Sequence, residues 1–326
     1  MRTIRWGIIG CGNVTEVKSG PGFQKARNSA LVAVMRRNGK LAEDYARRHG
    51  VPRWYDAADA LIADPEVDAV YIATPPSSHK EYVLACARAG KPVYVEKPMA
   101  LDIGECEEMI AACRSAGVPL FVAYYRRAMP RFLKVKELID GGAIGEVRFV
   151  TVLLQQKPVP EDIDPTNLPW RVLPEISGGG RFVDMGSHTL DFLDYVLGPI
   201  RSAHGHAVNL GGFYPAEDTV TATFEFASDV LGAGAWNFTS YGNRDATEVV
   251  GTRGRVVFSS FDAEPITLET AQGSQALAIE NPAHVQQPLI QTIVDELNGI
   301  GACPSTGTTG ARTTWVIDQM LKTYRD

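Results

Sequence analysis

A short apolar run, Ile4–Ile9, leads into Gly7-Ile-Ile-Gly10-Cys11-Gly12-Asn13-Val14-Thr15. Glycines spaced this way after a strand let the chain turn tightly and bring its backbone close to a pyrophosphate, with the next helix start supplying amide N–H groups. The turn has this meaning only inside a βαβ unit, and the first third of the chain supplies that rhythm. Strand candidates Leu31–Met35, Ala69–Ala73, Pro92–Val95 and Leu120–Ala123 alternate with helix-period stretches Leu41–His49, Ala57–Ala63, Lys80–Ala89 and Ile103–Ala116. Gly50, Gly90 and Gly117 stand where helices commonly stop. Residues 1–123 are therefore expected to form an α/β Rossmann domain on a parallel sheet. One departure is Thr15, which occupies the place where Gly or Ala usually permits close helix–strand packing.

Beyond Tyr124 the texture changes. A helix around Arg131–Ile139 is followed by alternating strands, including Val147–Gln155, Thr219–Ala227, Val230–Phe238, Thr247–Gly251 and Arg255–Ser259. Further helices are expected at Thr189–Val196, Pro288–Asn298 and Gly310–Tyr324, and the proline- and acid-rich stretch Pro158–Pro174 reads as a long surface loop. Residues 124–326 are thus expected to form an α+β domain on an open, largely antiparallel sheet, for substrate binding and oligomerisation, with the C-terminal helix able to pack back on the first domain.

The composition, 45% hydrophobic and 21% charged with a formal net charge of -6, fits a folded protein and gives no broad basic footprint for nucleic acid or an anionic membrane. No apolar stretch approaches the ~20 residues of a membrane-spanning helix, and no signal-peptide core precedes the glycines, so a cytoplasmic location is expected. Cys11, Cys86, Cys106, Cys113 and Cys303 form no CxxC pair and read as reduced thiols, with no metal site.

The cofactor is read from the end of the second strand, Met35-Arg36-Arg37-Asn38. NAD sites place an acid there for the ribose hydroxyls, whereas arginines bind a 2′-phosphate by charge-assisted hydrogen bonds. NADP(H) is therefore favoured, with NAD(H) as the alternative. The cofactor is expected against Gly10, Gly12, Asn13, Val14, Arg36, Arg37, Thr74, Pro75, His79, Glu96 and Lys97.

Two further strand ends carry Thr74-Pro75-Pro76-Ser77-Ser78-His79 and Glu96-Lys97-Pro98, and a later stretch carries Gly178-Gly179-Gly180 before Asp184-Met-Gly186-Ser-His188-Thr-Leu-Asp191. With the glycine turn, this order resembles the glucose–fructose oxidoreductase/inositol dehydrogenase (Gfo/Idh/MocA) family over nearly the whole chain. The resemblance implies an NAD(P)-dependent oxidoreductase acting on a sugar-, polyol- or diol-like small molecule, with Lys97, Asp184 and His188 as catalytic residues. The chemistry agrees: hydride transfer to a carbonyl needs a proton donor beside the oxygen, and the reverse reaction needs an acceptor. Lys97 can stabilise the developing alkoxide, His188 can exchange a proton near neutral pH, and Asp184 can orient both. Which of Lys97 and His188 moves the proton stays open.

Tyr124, Tyr125, Arg126, Arg127, Trp170 and Arg171 are expected around the substrate, where aromatic faces and guanidinium forks suit a polyhydroxylated ring. By resemblance, His284 and Gln287 reach towards it as well. Asp191 reads as a structural acceptor. Two other readings compete: a nucleotide-binding sensor, against which Lys97, Asp184 and His188 argue, and a glycosidase that oxidises transiently with bound NAD, which would show no net cofactor turnover. A face of the second sheet left to cover points to a homodimer or higher homo-oligomer.

Overall fold

In the computed structural model, which describes residues 1–326, six short strands form one parallel sheet: β1 (Ile4–Ile9), β2 (Ser29–Met35), β3 (Arg53–Tyr55), β4 (Ala69–Ile72), β5 (Val93–Val95) and β6 (Leu120–Val122). Their order is β3-β2-β1-β4-β5-β6. β4 and β5 have no exposed side chain, as a sheet covered on both faces requires. Ile9, Val70, Ile72, Val93, Val95 and Val122 belong to the apolar core on one side of it. On the other side, Trp6 meets Phe23 at 4.9 Å and Tyr71 stacks on Tyr94 at 4.9 Å. The strand order reverses between β1 and β4, so the crevice of this sheet lies beyond their carboxyl ends.

This first compact unit comprises Met1–Met129 and also Pro282–Ala311. It differs from the contiguous split expected at 123/124. The helix Gln287–Leu297 buries Leu289, Ile290, Ile293 and Val294 completely, beside the short helix Gly20–Lys25, whose Gly22 faces Ile290. Ser305 then donates to the Val122 carbonyl at 2.7 Å. An apolar helical face shows that a helix is buried, not which sheet buries it, so the sequence pattern could not assign this segment.

The second unit comprises Pro130–Asn281 and Arg312–Asp326. Its eight strands are β7 (Val147–Gln155), β8 (Ile200–Val208), β9 (Thr219–Phe226), β10 (Leu231–Asn237), β11 (Arg244–Gly251), β12 (Gly254–Phe258), β13 (Ile266–Thr270) and β14 (Gly273–Leu277). They run in the order β14-β13-β12-β11-β7-β10-β9-β8, antiparallel throughout except for the parallel pair β7 and β10. Alternating burial along β7 and β9 marks one covered face. Helices Pro130–Asp140 and Ser187–Leu197 pack there, with Phe132, Phe192 and Phe258 in edge-to-face contacts at 4.9 to 6.2 Å. The stretch expected as a loop, 158–174, holds only the short turns Pro160–Asp162 and Trp170–Val172 and the start of a one-turn helix. Its Asp162 is pinned by two hydrogen bonds from Arg181, at 2.7 and 2.6 Å. No helix is long and apolar enough to cross a membrane.

Candidate active site

The glycine turn after β1 is built around Gly10, whose φ of +90° is a left-handed conformation and whose Cβ, were there one, would lie 2.7 Å from Thr74 Cγ2. Only glycine allows this approach of the β1 and β4 ends. The Gly10 and Cys11 N–H groups both donate to the Met35 carbonyl, at 2.9 and 3.1 Å. That pair ties the turn to the end of β2, where Arg36 and Arg37 are exposed. A Cβ on Gly12 would meet nothing closer than 3.8 Å, so the backbone there is open to a ligand. Asn13 is exposed and Val14 half-buried in the first turn of the short helix Asn13–Val17.

Thr15 compensates for its departure from the glycine pattern. Its hydroxyl accepts from Gly12 N–H at 3.0 Å and donates to the Gly12 carbonyl at 2.8 Å. The close approach moves to Gly20, where a Cβ would lie 2.2 Å from the Thr15 carbonyl oxygen. Tyr45 OH donates to that same oxygen at 2.8 Å. Burial pushes the Cys11 thiol up to about 11, opposed by the charge of Arg36.

Thr74 and Lys97 follow β4 and β5 at the same edge. Ser78 Oγ donates to Thr74 Oγ1 at 2.8 Å, and Glu96 N–H donates to the Ile72 carbonyl at 2.9 Å. Pro75 is half-buried, Lys97 is half-buried, and the Lys97–Pro98 bond is cis.

Two residues expected against the cofactor face the interior instead. His79 is fully buried. Its Nε2 lies 2.8 Å from the Thr74 carbonyl and its Nδ1 lies 3.1 Å from those of Pro98 and Met99. The ring thus fills the space between the Thr74 turn and the Lys97 turn; burial lowers its pKa, and the neutral ring has one N–H to donate to the carbonyls around it. Glu96 is only 7% exposed. Its Oε2 accepts from Lys97 N–H at 3.1 Å, while Oε1 accepts from Gln286 Nε2 at 2.6 Å and from Tyr71 OH. Both residues stand behind the crevice because the strand end turns their side chains inward.

Tyr125 and Arg126 belong to the first unit, where they are buried with the guanidinium 5.2 Å from the Tyr125 ring centroid. Arg127 there donates to the Pro304 carbonyl at 3.2 Å. His284 also belongs to the first unit, which corrects its expected place in a second-domain feature. Its Nδ1 donates to the Val17 carbonyl at 2.7 Å and its Nε2 accepts from Lys25 Nζ at 2.7 Å.

In the second unit, a π-helical turn, Phe182–Gly186, runs into the helix Ser187–Leu197. Such widened turns recur at functional sites. This one sets Asp184, half-buried, one turn before His188, which is 5% exposed beside the Phe261 ring at 5.9 Å. Arg171 approaches Asp184 at 3.5 Å and lies over the Trp170 ring at 4.4 Å. The fold therefore gathers Trp170, Arg171 and Asp184. Asp191 accepts from Thr313 at 3.3 Å as a buried structural acceptor. Behind the Gly178–Gly180 turn, buried Glu217 accepts from Gly180 N–H at 2.7 Å, and burial pushes its carboxyl up to about 7. No sequence pattern singled out Glu217 or Gln286.

Residues 4–124 match the model of an oxidoreductase family with an NAD-binding Rossmann fold, and residues 132–257 match that of the GFO/IDH/MocA C-terminal domain. Oxidoreductase P35 of Formosa agariphila is 40% identical over 97% of this chain and 97% of its own. The 1,5-anhydro-D-fructose reductase of Ensifer adhaerens is 29% identical over 94% of this chain and 92% of its own. Levoglucosan dehydrogenase, solved with NADH and levoglucosan, has the same fold with a TM-score of 0.87, over 99% of this chain and 97% of its own, at 21% identity.

Proposed function

The chain belongs to the Gfo/Idh/MocA family of oxidoreductases, and from that premise we propose that it moves hydride between NADP(H) and a carbonyl or hydroxyl carbon of a sugar-, polyol- or diol-like molecule. The observation that carries this reading is the carboxyl end of the first sheet, where the glycine turn with its open backbone at Gly12, the exposed Arg36 and Arg37 and the Lys97 turn follow β1, β2 and β5. These residues fit a phosphorylated dinucleotide: an open backbone for the pyrophosphate, and two guanidiniums with no acid beside them for the 2′-phosphate. The names of relatives such as the anhydrofructose reductase support the substrate class.

The bound nicotinamide supplies the hydride. Gly10, Gly12, Asn13 and Val14 would hold the pyrophosphate, Thr74 and Pro75 would contribute to cofactor binding, and Lys97 Nζ would donate to the reacting oxygen as charge develops on it. His188 is the candidate proton exchanger, with Asp184 orienting the substrate hydroxyls and the imidazole. Tyr125, Arg126, Trp170 and Arg171 contribute aromatic faces and donors to the substrate.

Titration of NADPH and NADH into the apo protein tests the cofactor. Tighter NADPH binding, reduced towards that of NADH by Arg36→Ala and Arg37→Ala, is expected; clearly tighter NADH binding overturns the preference. A panel of carbonyls and polyols followed by NADPH absorbance identifies the substrate, and cofactor change equal to product formed excludes a glycosidase cycle.

The same proposal takes the protein as a cytoplasmic homodimer or higher homo-oligomer. Phe149 and Leu231 are register partners on β7 and β10, 38% and 53% exposed, and they support a role for that sheet face in association.

A further inference from the structure

We propose that Gln286 is a positioning residue for the Lys97 turn, acting through Glu96; the inference rests on the reading of Lys97 as the group that meets the reacting oxygen. Gln286 and Glu96 are 190 residues apart in the chain, yet the carboxamide is fully buried against the carboxylate. Tyr94 OH donates to Gln286 Oε1 at 2.9 Å, and Gln286 Nε2 donates to Glu96 Oε1 at 2.6 Å. Tyr71 OH donates to that same carboxylate oxygen. The other oxygen is thereby left facing Lys97 N–H, at 3.1 Å.

The orientation of the amide follows from these partners. Turned over, its oxygen would face the carboxylate oxygen at hydrogen-bond distance, where two acceptors repel. Burial, together with the Glu96 charge, pushes the Tyr71 and Tyr94 hydroxyls well above the usual phenol range, so both remain donors at physiological pH. A carboxylate gripped by two donors on one oxygen cannot swing away from the turn it holds. The segment carrying Gln286 is itself fixed on the cofactor side: Gln286 N–H donates to the Lys18 carbonyl at 3.2 Å, and His284 Nδ1 donates to that of Val17 at 2.7 Å. One returning segment thus ties the helix after the glycine turn to the Lys97 turn.

The test uses the full chain with Gln286→Leu, Gln286→Glu and Lys97→Ala. Amide exchange across residues 95–99 is followed by mass spectrometry in the apo protein, and turnover by NADPH absorbance with 1,5-anhydro-D-fructose. In Gln286→Leu, the Lys97 amide should exchange ~10-fold faster or more and kcat should fall by a similar factor, with NADPH affinity kept within about 2-fold.

Gln286→Glu is the near-isosteric control. The titratable groups facing this position are Glu96, Tyr71 and Tyr94, with Cys303 and Tyr125 near Tyr94; the substitution sets a second carboxyl directly against that of Glu96. At high pH, two adjacent carboxylates repel and exchange at Lys97 is fast. As pH falls, one takes up a proton and donates as the amide did, so exchange and turnover recover towards those of the unmodified enzyme. A side chain that only fills space would show no such recovery.

Unchanged exchange at Lys97 in a folded Gln286→Leu overturns the inference. Should that variant fail to fold, a Gln286→Glu exchange ratio that does not vary with pH overturns it instead. The exchange arm needs no substrate. Lys97→Ala separates the two ideas: full turnover there removes Lys97 from the chemistry, while loss of turnover there with unaltered Gln286 variants removes Gln286 alone.

Discussion

Lys97 carries its charge to the edge of the first sheet on a turn that Glu96 and His79 hold from behind. On the proposed reading, replacing it with Ala should lower turnover by ~10²-fold or more while leaving nucleotide binding largely intact, because the charge proposed to meet the reacting oxygen is removed; turnover by NADPH absorbance and binding by fluorescence titration measure the two separately. A second residue-scale expectation concerns Glu217, whose folded value of about 7 stands against an ordinary 4.5. The folded chain keeps that proton over a range where the unfolded chain has released it. The contribution of Glu217 to stability is therefore greatest below the ordinary value and is lost as pH rises through the window to about 7, by of order 3 kcal/mol at most. Glu217→Gln keeps an acceptor for Gly180 N–H and should flatten the decline, with a higher Tm than the unmodified chain at pH 8; an unaltered Tm-against-pH curve contradicts this. At this scale the sequence marks Lys97, Asp184 and His188 by motif, but it does not show which way a side chain points. His79 and Glu96 sit at the expected strand ends and turn inward, and Gln286, in an irregular stretch, gives no periodic signal at all.

Among the elements, the βαβ alternation was legible because strands buried on both faces read as continuous apolar runs and their helices end at glycine. β14 was not: all but the last of its residues, Gly273–Leu277, are exposed, and it is a strand only because its backbone pairs with β13. The three-residue β3 likewise owes its form to pairing with β2. β8 runs Ile200–Val208 with exposed His204 and His206 in its burial pattern, which blurs an apolar alternation. The glycine turn gives an element-scale prediction. Gly10→Ala would force a left-handed φ on a residue with a Cβ and crowd Thr74, so it should destabilise the chain by ~1–3 kcal/mol and weaken NADPH binding. Denaturant unfolding and nucleotide titration read the two effects.

For the whole molecule, the first unit is completed by a segment from far along the chain. Residues 1–129 alone would lack Leu289, Ile290, Ile293 and Val294, all fully buried, and should show no cooperative thermal transition by circular dichroism, whereas the full chain should. At this scale too, light scattering at micromolar concentration should find a dimer or larger, and Phe149→Glu with Leu231→Glu should shift it towards monomer if the exposed sheet face mediates association. The sequence by itself determined the class of each sheet, the glycine turn, the order of the motifs and thereby the family, because these depend on local periodicity and on residue types at short, fixed spacings. Only the tertiary structure decided that 282–311 completes the first unit, that β7 and β10 lie parallel, and that Glu96, Tyr71, Tyr94 and Gln286 meet in one buried network. Those outcomes depend on which distant apolar faces and unpaired polar groups find each other, and neither an apolar stripe nor a lone glutamine carries the address of its partner.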